Sequence, residues 1–139
     1  MITEAFEQEL MAAARSREAF QPGAYYDKDG DCIEFFVSDE MSHAERIDQL
    51  VTVYYGDETG EITGALVKGV KQYLDGVLRR NPLFKVAIKD GRIKLEYLFI
   101  SRLLTPNADD VELVTLQYEK LLRLAEKTDA VAEIEGVFA

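Results

Sequence analysis

The segment DKDGD, residues 27–31, comes closest in residue types and spacing to a known chemical motif, the calcium-binding loop. An EF-hand loop carries oxygen ligands at alternating positions, a glycine at its sixth position and a glutamate at its twelfth. Counting from Asp27 puts a cysteine sixth and a serine twelfth, whereas placing Gly30 sixth puts a tyrosine first and a phenylalanine last. Both registers fail. The pattern favours a hairpin turn in which Asp29 and Gly30 adopt a left-handed backbone.

The acidic segment SDEMSHAERID, residues 38–48, surrounds the one histidine of the chain, His43. Together with Asp39 and Glu45, His43 supplies the residue types of a metal site or a hydrolytic centre. The segment lacks both the HxxxH spacing of a zinc helix and the glycine-flanked serine of a nucleophile elbow. We therefore expect a solvated loop with no catalytic residue. A small metal-assisted hydrolase that uses Asp39, His43 and Glu45 remains the alternative.

Cys32 is the only cysteine, so the chain cannot form an internal disulfide, and a reducing, cytoplasmic compartment is expected. A cysteine in an apolar strand behaves mostly as a small hydrophobic residue, because a nucleophilic thiolate needs a base and a positive setting. The glycines of GALVKGVK, residues 64–71, lack the spacing of a phosphate-binding loop. The sequence thus predicts no cofactor.

Charge is distributed unevenly along the chain. The net charge is −10, yet residues 68–102 hold nine basic residues against three acidic ones, a local net charge of +6 that leaves −16 for the remainder. Such a division predicts a bipolar surface that steers an acidic partner or organises self-association. The predicted interaction surface consists of six basic residues, Arg79, Arg80, Lys85, Lys89, Arg92 and Lys94.

These features favour a non-catalytic protein-interaction module whose partner is an acidic protein or a second copy of the chain in a homodimer. Nucleic acid is not the expected partner, because phosphate binding depends on clustered lysine and arginine and the net charge is strongly negative. Single-stranded nucleic acid bound by the basic segment 83–100 remains an alternative. Tyr73, Tyr97 and Phe99 would then stack on bases if exposed, although strand alternation places Tyr97 and Phe99 in the core.

Two segments have the strand-turn-strand composition of β-hairpins. The first runs from Tyr25 through the DKDGD turn to Val37. The second joins LVTVYY, residues 50–55, to ITGALV, residues 62–67, with Gly60 in the bend. Both hairpins are expected to lie in one antiparallel sheet.

The order of these two hairpins resembles a family of short, uncharacterised prokaryotic domains that contain YDxxxDxLYIxF followed by DxxGxIVGIEI. The resemblance covers about residues 24–70, and it departs from the family pattern at Cys32-Ile33 and at Tyr54-Tyr55-Gly56. It implies a small curved sheet, and it implies no reaction or catalytic residue because the family has no established activity. The matching positions are Tyr26, Asp27, Asp31, Ile33, Phe35, Val51, Val53, Tyr55, Gly60, Ile62 and Gly64.

A third hairpin is predicted for LFKVAIKDGRIKLEYLFI, residues 83–100, which alternates apolar and mostly basic residues around Asp90-Gly91. In this hairpin Phe84, Val86 and Ile88 would face the core and the lysines would form a basic outer face.

Three helices are predicted from apolar periodicity: residues 3–20, residues 69–80, and a last helix from an Asp109 cap to about Lys127. The apolar stripe of the last helix is broad, so that it can serve the core and a dimer interface together.

The length of 139 residues suits a single domain, residues 1–139, that buries about two thirds of its unfolded surface. No apolar run reaches the roughly 20 residues of a membrane helix, and the acidic N-terminal segment lacks the pattern of a secretory signal. The expected fold class is α+β. An antiparallel sheet of about six strands, built from three hairpins, is covered by N-terminal, central and C-terminal helices.

Overall fold

The computed structural model describes residues 4–10 and 20–134, which form two antiparallel sheets together with helices. The α+β class is confirmed. The strands are β1 (Gly23–Asp27), β2 (Cys32–Phe36), β3 (Ser42–Arg46), β4 (Val51–Gly56), β5 (Ile62–Lys68), β6 (Ile88–Lys89), β7 (Arg92–Lys94) and β8 (Val131–Glu133). The α-helices are α1 (residues 4–10), α2 (Val70–Arg80), α3 (Leu95–Leu104) and α4 (Glu112–Thr128), and a 3₁₀-helix spans Pro82–Ala87.

The larger sheet has the strand order β1-β2-β5-β4-β3. The two hairpins predicted around residues 25–37 and 50–67 are confirmed as β1-β2 and β4-β5. They join through antiparallel pairing of β2 with β5, in which Phe35 lies opposite Ala65. The smaller sheet has the order β6-β7-β8, and β8 lies beside β1.

The core lies between one face of the larger sheet and the helices. Alternate residues of β2, β4 and β5 are fully buried, as the period of a strand requires. The helices contribute residues spaced three or four apart, which lie on one helical face. The sheet supplies Ile33, Phe35, Val51, Val53, Ala65 and Val67, and the helices supply Val70, Leu74, Leu95, Leu98, Phe99, Tyr118, Leu121 and Ala125.

Two strands lie where the sequence did not predict them. β3 occupies the segment expected to be a solvated loop; it is an edge strand of the larger sheet, and all five of its residues are exposed. β8 follows α4 and pairs with β7. The described residues therefore contain eight strands in two sheets, in place of about six strands in one.

The predicted hairpin over residues 83–100 is wrong over most of its length. Its turn at Asp90-Gly91 is correct, but the paired strands are short: β6 has two residues and β7 has three. The preceding residues form the 3₁₀-helix, with Pro82 in its first turn, and the following residues form α3. Leu95, Leu98 and Phe99 are buried, so their spacing of three and four matches a helix rather than a strand.

The predicted helix of residues 69–80 is confirmed as α2. The last predicted helix is confirmed as α4, but Val111 occupies its N-cap position instead of Asp109. At the N-terminus, residues 4–10 are helical and all are exposed, whereas Thr3 and residues 11–19 of the predicted helix lie outside the described residues. Phe20 is exposed and not helical.

Candidate binding cleft

An open cleft of about 850 Å³ lies where the 3₁₀-helix, the β6-β7 hairpin, α3 and β8 meet. Its apolar lining includes Leu83 and Val86 from the 3₁₀-helix, Tyr97 and Ile100 from α3, and Val131 from β8. This volume falls in the range of pockets that bind small molecules or inserted side chains. The cleft is thus large enough to hold several side chains of a partner.

The 3₁₀-helix explains why the cleft has an exposed apolar wall. With about three residues per turn, residues three apart lie above one another on the same face. Leu83 and Val86 have this spacing, and their exposed fractions are 80% and 69%. The predicted strand would have placed Phe84, Val86 and Ile88 together in the core. In the structure Val86 is exposed, and Phe84 and Ile88 are only half-buried. Two large apolar side chains therefore face solvent together at one wall.

Three of the predicted basic residues line the cleft: Lys89, Arg92 and Lys94. Arg92 and Lys94 flank Ile93 in β7, so strand alternation turns both away from the core in which Ile93 is buried. Lys89 lies opposite Arg92 across the hairpin. Alternation around Asp90-Gly91 therefore correctly predicted the basic side of this short hairpin.

The cations of the cleft differ in their ion pairs. Arg92 contacts Glu133 at 3.3 Å, and Lys94 contacts Asp129 at 3.5 Å and Glu96 at 3.7 Å. The Asp129 carboxylate, followed by weaker effects of Tyr97 and Glu96, raises the pKa of Lys94. Within residues 4–10 and 20–134, Lys89 has no ion-pair partner. Its charge is available to an anionic group.

The other three residues of the predicted basic interaction surface do not line the cleft. Arg79 and Arg80 form the last turn of α2, and Lys85 lies on the 3₁₀-helix. All three are exposed.

Tyr97, predicted to be buried, is exposed and lines the cleft because residue 97 is in a helix, whereas Phe99 is buried as predicted. Tyr73 is partly buried, and its phenol is hydrogen-bonded to Ser101 at 2.7 Å.

The DKDGD segment forms the turn between β1 and β2, as predicted. The residue with a left-handed backbone is Asp31, with φ of 49°, rather than Asp29 or Gly30. The Asp31 carboxylate accepts hydrogen bonds from the Tyr26 hydroxyl at 2.7 Å and from the Lys71 backbone N–H at 3.1 Å. Burial and the Asp31 carboxylate raise the pKa of Tyr26 to about 12. Asp31 is thus used within the fold to cap α2.

The acidic histidine segment contains the edge strand β3. His43 Nδ1 lies 2.9 Å from an Asp57 carboxylate oxygen, and both side chains are about half-exposed. Asp39 is exposed in the preceding loop, and Glu45 is exposed two residues after His43 on the same strand. In the described part of the chain, no group of three or more His, Cys, Asp or Glu side chains is arranged to hold a metal ion.

Glu40, in the loop before β3, was not predicted from the sequence to have a role. Its carboxylate accepts hydrogen bonds from the backbone N–H groups of Glu58 and Thr59, at 3.0 Å and 2.9 Å, and from the Thr59 hydroxyl at 2.8 Å. The bonds from Thr59 lower the pKa of Glu40. This carboxylate therefore fixes the turn between β4 and β5.

The Cys32 thiol is partly buried and unpaired by any disulfide. Burial and the neighbouring carboxylates of Asp27 and Glu34 raise its pKa, which favours the neutral thiol over the nucleophilic thiolate. Lys68, opposite Cys32 on β5, lowers this pKa but does not outweigh burial and the carboxylates.

A largely buried polar network, which was not predicted from the sequence, joins two loops to α3 and α4. Arg102 of α3, 4% exposed, donates hydrogen bonds to both carboxylate oxygens of Asp110 at 2.8 and 2.6 Å and to Asp48 at 3.3 Å. The Tyr118 hydroxyl donates to the same Asp48 carboxylate, and the Arg102 guanidinium lies 4.9 Å from the centre of the Tyr118 ring. The network holds the loop before α4 against the last turns of α3.

Comparison of the chain with known protein families, with curated proteins and with solved structures gives no match. The resemblance of residues 24–70 to a prokaryotic domain family therefore stays a prediction. Among the described residues, no helix has the length and apolar character needed to cross a membrane.

Proposed function

We propose that the protein is a non-catalytic interaction module that binds an acidic protein surface carrying exposed apolar side chains. The observation that carries this proposal is the cleft itself, in which exposed Leu83 and Val86 lie beside Lys89, Arg92 and Lys94. Apolar contact surface supplies affinity, whereas complementary charge steers the partner and sets its orientation. The cytoplasm is the compartment that fits a single partly buried thiol.

A protein partner accounts for the cleft better than a nucleic acid does. Single-stranded nucleic acid is bound by aromatic platforms along a groove of many cations. Here Tyr97 is the exposed aromatic residue of the lining, and aliphatic Leu83 and Val86 form the adjoining wall. Arg92 and Lys94 also contact acidic groups of the chain itself. The net charge of −10 further opposes a polyanion.

The proposal is tested by fluorescence anisotropy with three labelled peptides of equal length, built from glutamate and leucine, glutamate and serine, or lysine and leucine. The glutamate-leucine peptide is expected to bind most tightly, because it alone satisfies both the cations and the apolar wall. Equal binding of all three peptides would overturn the proposal. A labelled single-stranded oligonucleotide that binds more tightly than every peptide would also overturn it, in favour of the nucleic-acid alternative.

Matched variants locate the binding in the cleft. Substituting Lys89, Arg92 and Lys94 with glutamate is expected to weaken peptide binding at least about tenfold, or about 1.4 kcal/mol. The control substitutes Lys28, Lys68 and Lys71 with glutamate, since all three are exposed, lie outside the cleft and change the net charge equally. For the apolar wall, Leu83→Ser is compared with Met41→Ser, because both side chains are 80% exposed. Equal effects of variant and control would place binding elsewhere.

A further inference from the structure

A second interaction surface, opposite in charge to the cleft, lies around the start of α4. Leu113 and Leu116 are three residues apart on α4 and are exposed, as is Val111 at the N-cap position. Asp109 and Glu112 are exposed beside them in sequence, and neither has an ion-pair partner among the described residues. We name these five residues the acidic patch: Asp109, Val111, Glu112, Leu113 and Leu116.

The cleft and the acidic patch lie at opposite ends of α3. Lys94 is the N-cap residue of α3 and lines the cleft. At the other end, Asp110 is held by Arg102 of α3 at 2.6 Å, so the flanking residues Asp109 and Val111 lie near the last turns of that helix. One end of α3 is therefore flanked by three cations, of which Arg92 and Lys94 also contact carboxylates of the chain, and the other end by exposed carboxylates without ion pairs among the described residues.

An apolar stripe along α3 connects the two ends. Tyr97, Ile100 and Leu104 follow one another at spacings of three and four, which places them on the same face of the helix. Tyr97 and Ile100 line the cleft, and Leu104 is 75% exposed at the end of the helix. From Tyr97 to Leu104 the stripe extends about 10 Å along the helix axis. The surface thus runs from basic through apolar to acidic.

From this order we infer that the occupant of the cleft is the acidic patch of a second copy, in a two-fold dimer with the α3 helices side by side and antiparallel. The inference rests on the proposed function of the cleft. Two-fold symmetry brings the cleft of each protomer against the acidic patch of the other, so that each charge contact is formed twice. The antiparallel orientation also joins the two apolar stripes, whereas a parallel orientation would place like charges together.

The test is a charge exchange followed by analytical ultracentrifugation at low salt. One variant carries Lys89→Glu and Arg92→Glu, and the other carries Asp109→Lys and Glu112→Lys. Each variant alone is expected to dimerise at least about tenfold more weakly than the wild type, because its own cleft and patch then have like charges. An equimolar mixture is expected to form a heterodimer with affinity near that of the wild type, since both of its contacts are again between opposite charges.

Three results would overturn the inference: a monomeric wild type, a dimer unaffected by either variant, or a mixture that forms no heterodimer. The control carries Lys28→Glu and Lys68→Glu and is expected to dimerise as the wild type does. Binding of the glutamate-leucine peptide is measured in the Asp109→Lys/Glu112→Lys variant, whose cleft is unchanged. If that variant binds the peptide while the wild type is monomeric, the dimer inference is wrong, but the proposed binding function of the cleft is supported. If it does not bind, the proposed function itself fails.

Discussion

The carboxylate of Asp31, in the turn between β1 and β2, accepts hydrogen bonds from the backbone N–H of Lys71 at 3.1 Å and 3.2 Å. Lys71 lies in the first turn of α2, whose N-cap residue, Gly69, has no side chain to satisfy the free N–H groups there. The Asp31 carbonyl also accepts from the Val70 N–H at 3.2 Å. A negative charge at this helix end interacts favourably with the helix dipole.

Replacing Asp31 should therefore destabilise the protein by an amount that depends on the replacement. Asp31→Ala removes the cap and places alanine in a left-handed conformation, with an expected loss of about 2 kcal/mol in the free energy of unfolding. Asp31→Asn keeps one acceptor oxygen and tolerates this backbone, so its loss should be smaller. Urea denaturation measures both, with exposed Asp29→Ala as the control. Equal losses for the alanine and asparagine variants would contradict this account of Asp31.

Tyr118→Phe should lower the free energy of unfolding by about 1–2 kcal/mol, because it removes one hydrogen bond to the partly buried Asp48 carboxylate. Asp48 keeps the backbone N–H groups of Leu50 and Val51, at 2.9 Å and 2.8 Å, so the carboxylate is not left unpaired. The control is Tyr25→Phe, since Tyr25 is exposed. A loss no larger than that of the control would show that the Tyr118 hydroxyl is not engaged.

The buried position of Tyr118 also predicts how the tyrosines ionise at alkaline pH. Burial and the Asp48 carboxylate raise the pKa of Tyr118, and burial together with the Asp31 carboxylate raises that of Tyr26 to about 12. In an ultraviolet titration of the tyrosinates, the Tyr118→Phe variant should therefore match the wild type through the range in which exposed tyrosines ionise, near pH 10. Any difference should emerge only at higher pH. Loss of one ionising group near pH 10 in the variant would contradict the buried position of Tyr118.

Acidic pH should lower the free energy of unfolding, because it protonates the Asp110 carboxylate. Its hydrogen bonds from Arg102 lower the pKa of the Asp110 carboxyl in the folded state. A lowered folded pKa means that the stabilisation is fully present above the unfolded value of about 3.9 and is lost as the pH falls through the folded value. Asp110→Asn should thus cost about 3 kcal/mol at neutral pH, where it leaves the charge of Arg102 without its main partner.

The pH dependence separates this effect from a simple loss of packing. The difference in unfolding free energy between wild type and Asp110→Asn should narrow as the pH falls below about 4. Exposed Asp29→Asn, outside both proposed contact surfaces, is the matched control and should change stability little at any pH. A difference that stays constant from neutral to acidic pH would argue against an ion pair between Arg102 and Asp110.

Gly64→Ala should destabilise the protein by about 3 kcal/mol or more, because two strands approach too closely for a side chain there. A Cβ atom added at Gly64 would lie 2.2 Å from the backbone carbonyl oxygen of Phe35 on the neighbouring strand. Gly60→Asn is the control, since its turn is open and asparagine tolerates positive φ. Thermal unfolding compares them, and a Gly64→Ala melting temperature equal to that of the control would show that β2 and β5 separate easily.

Local patterns determined much of the larger sheet and two helices. The hairpins β1-β2 and β4-β5 were predictable because strand alternation and turn residues act over a few neighbouring positions. The same holds for α2 and α4, whose apolar spacing is helical. The charge division between residues 68–102 and the rest was also visible, since charge depends on composition alone.

Residues 83–100 show where local pattern fails. The alternation of Phe84, Val86 and Ile88 with polar neighbours satisfies a strand, yet Leu95, Leu98 and Phe99 already had helical spacing. Tertiary packing chose between the two, because burying those three residues on one face of α3 completes the core under the larger sheet. The edge strand β3 and the short strand β8 likewise form because a partner strand is present.

By itself, the sequence determined the α+β class, the turns at residues 27–31 and 90–91, and a basic segment within an acidic chain. Only the tertiary structure decided that Lys89, Arg92 and Lys94 lie beside an exposed apolar wall, with an acidic patch at the far end of α3. The physical reason is distance along the chain. The cleft joins residues from position 81 to position 131, and which of them meet depends on how separate elements pack, which no local periodicity encodes.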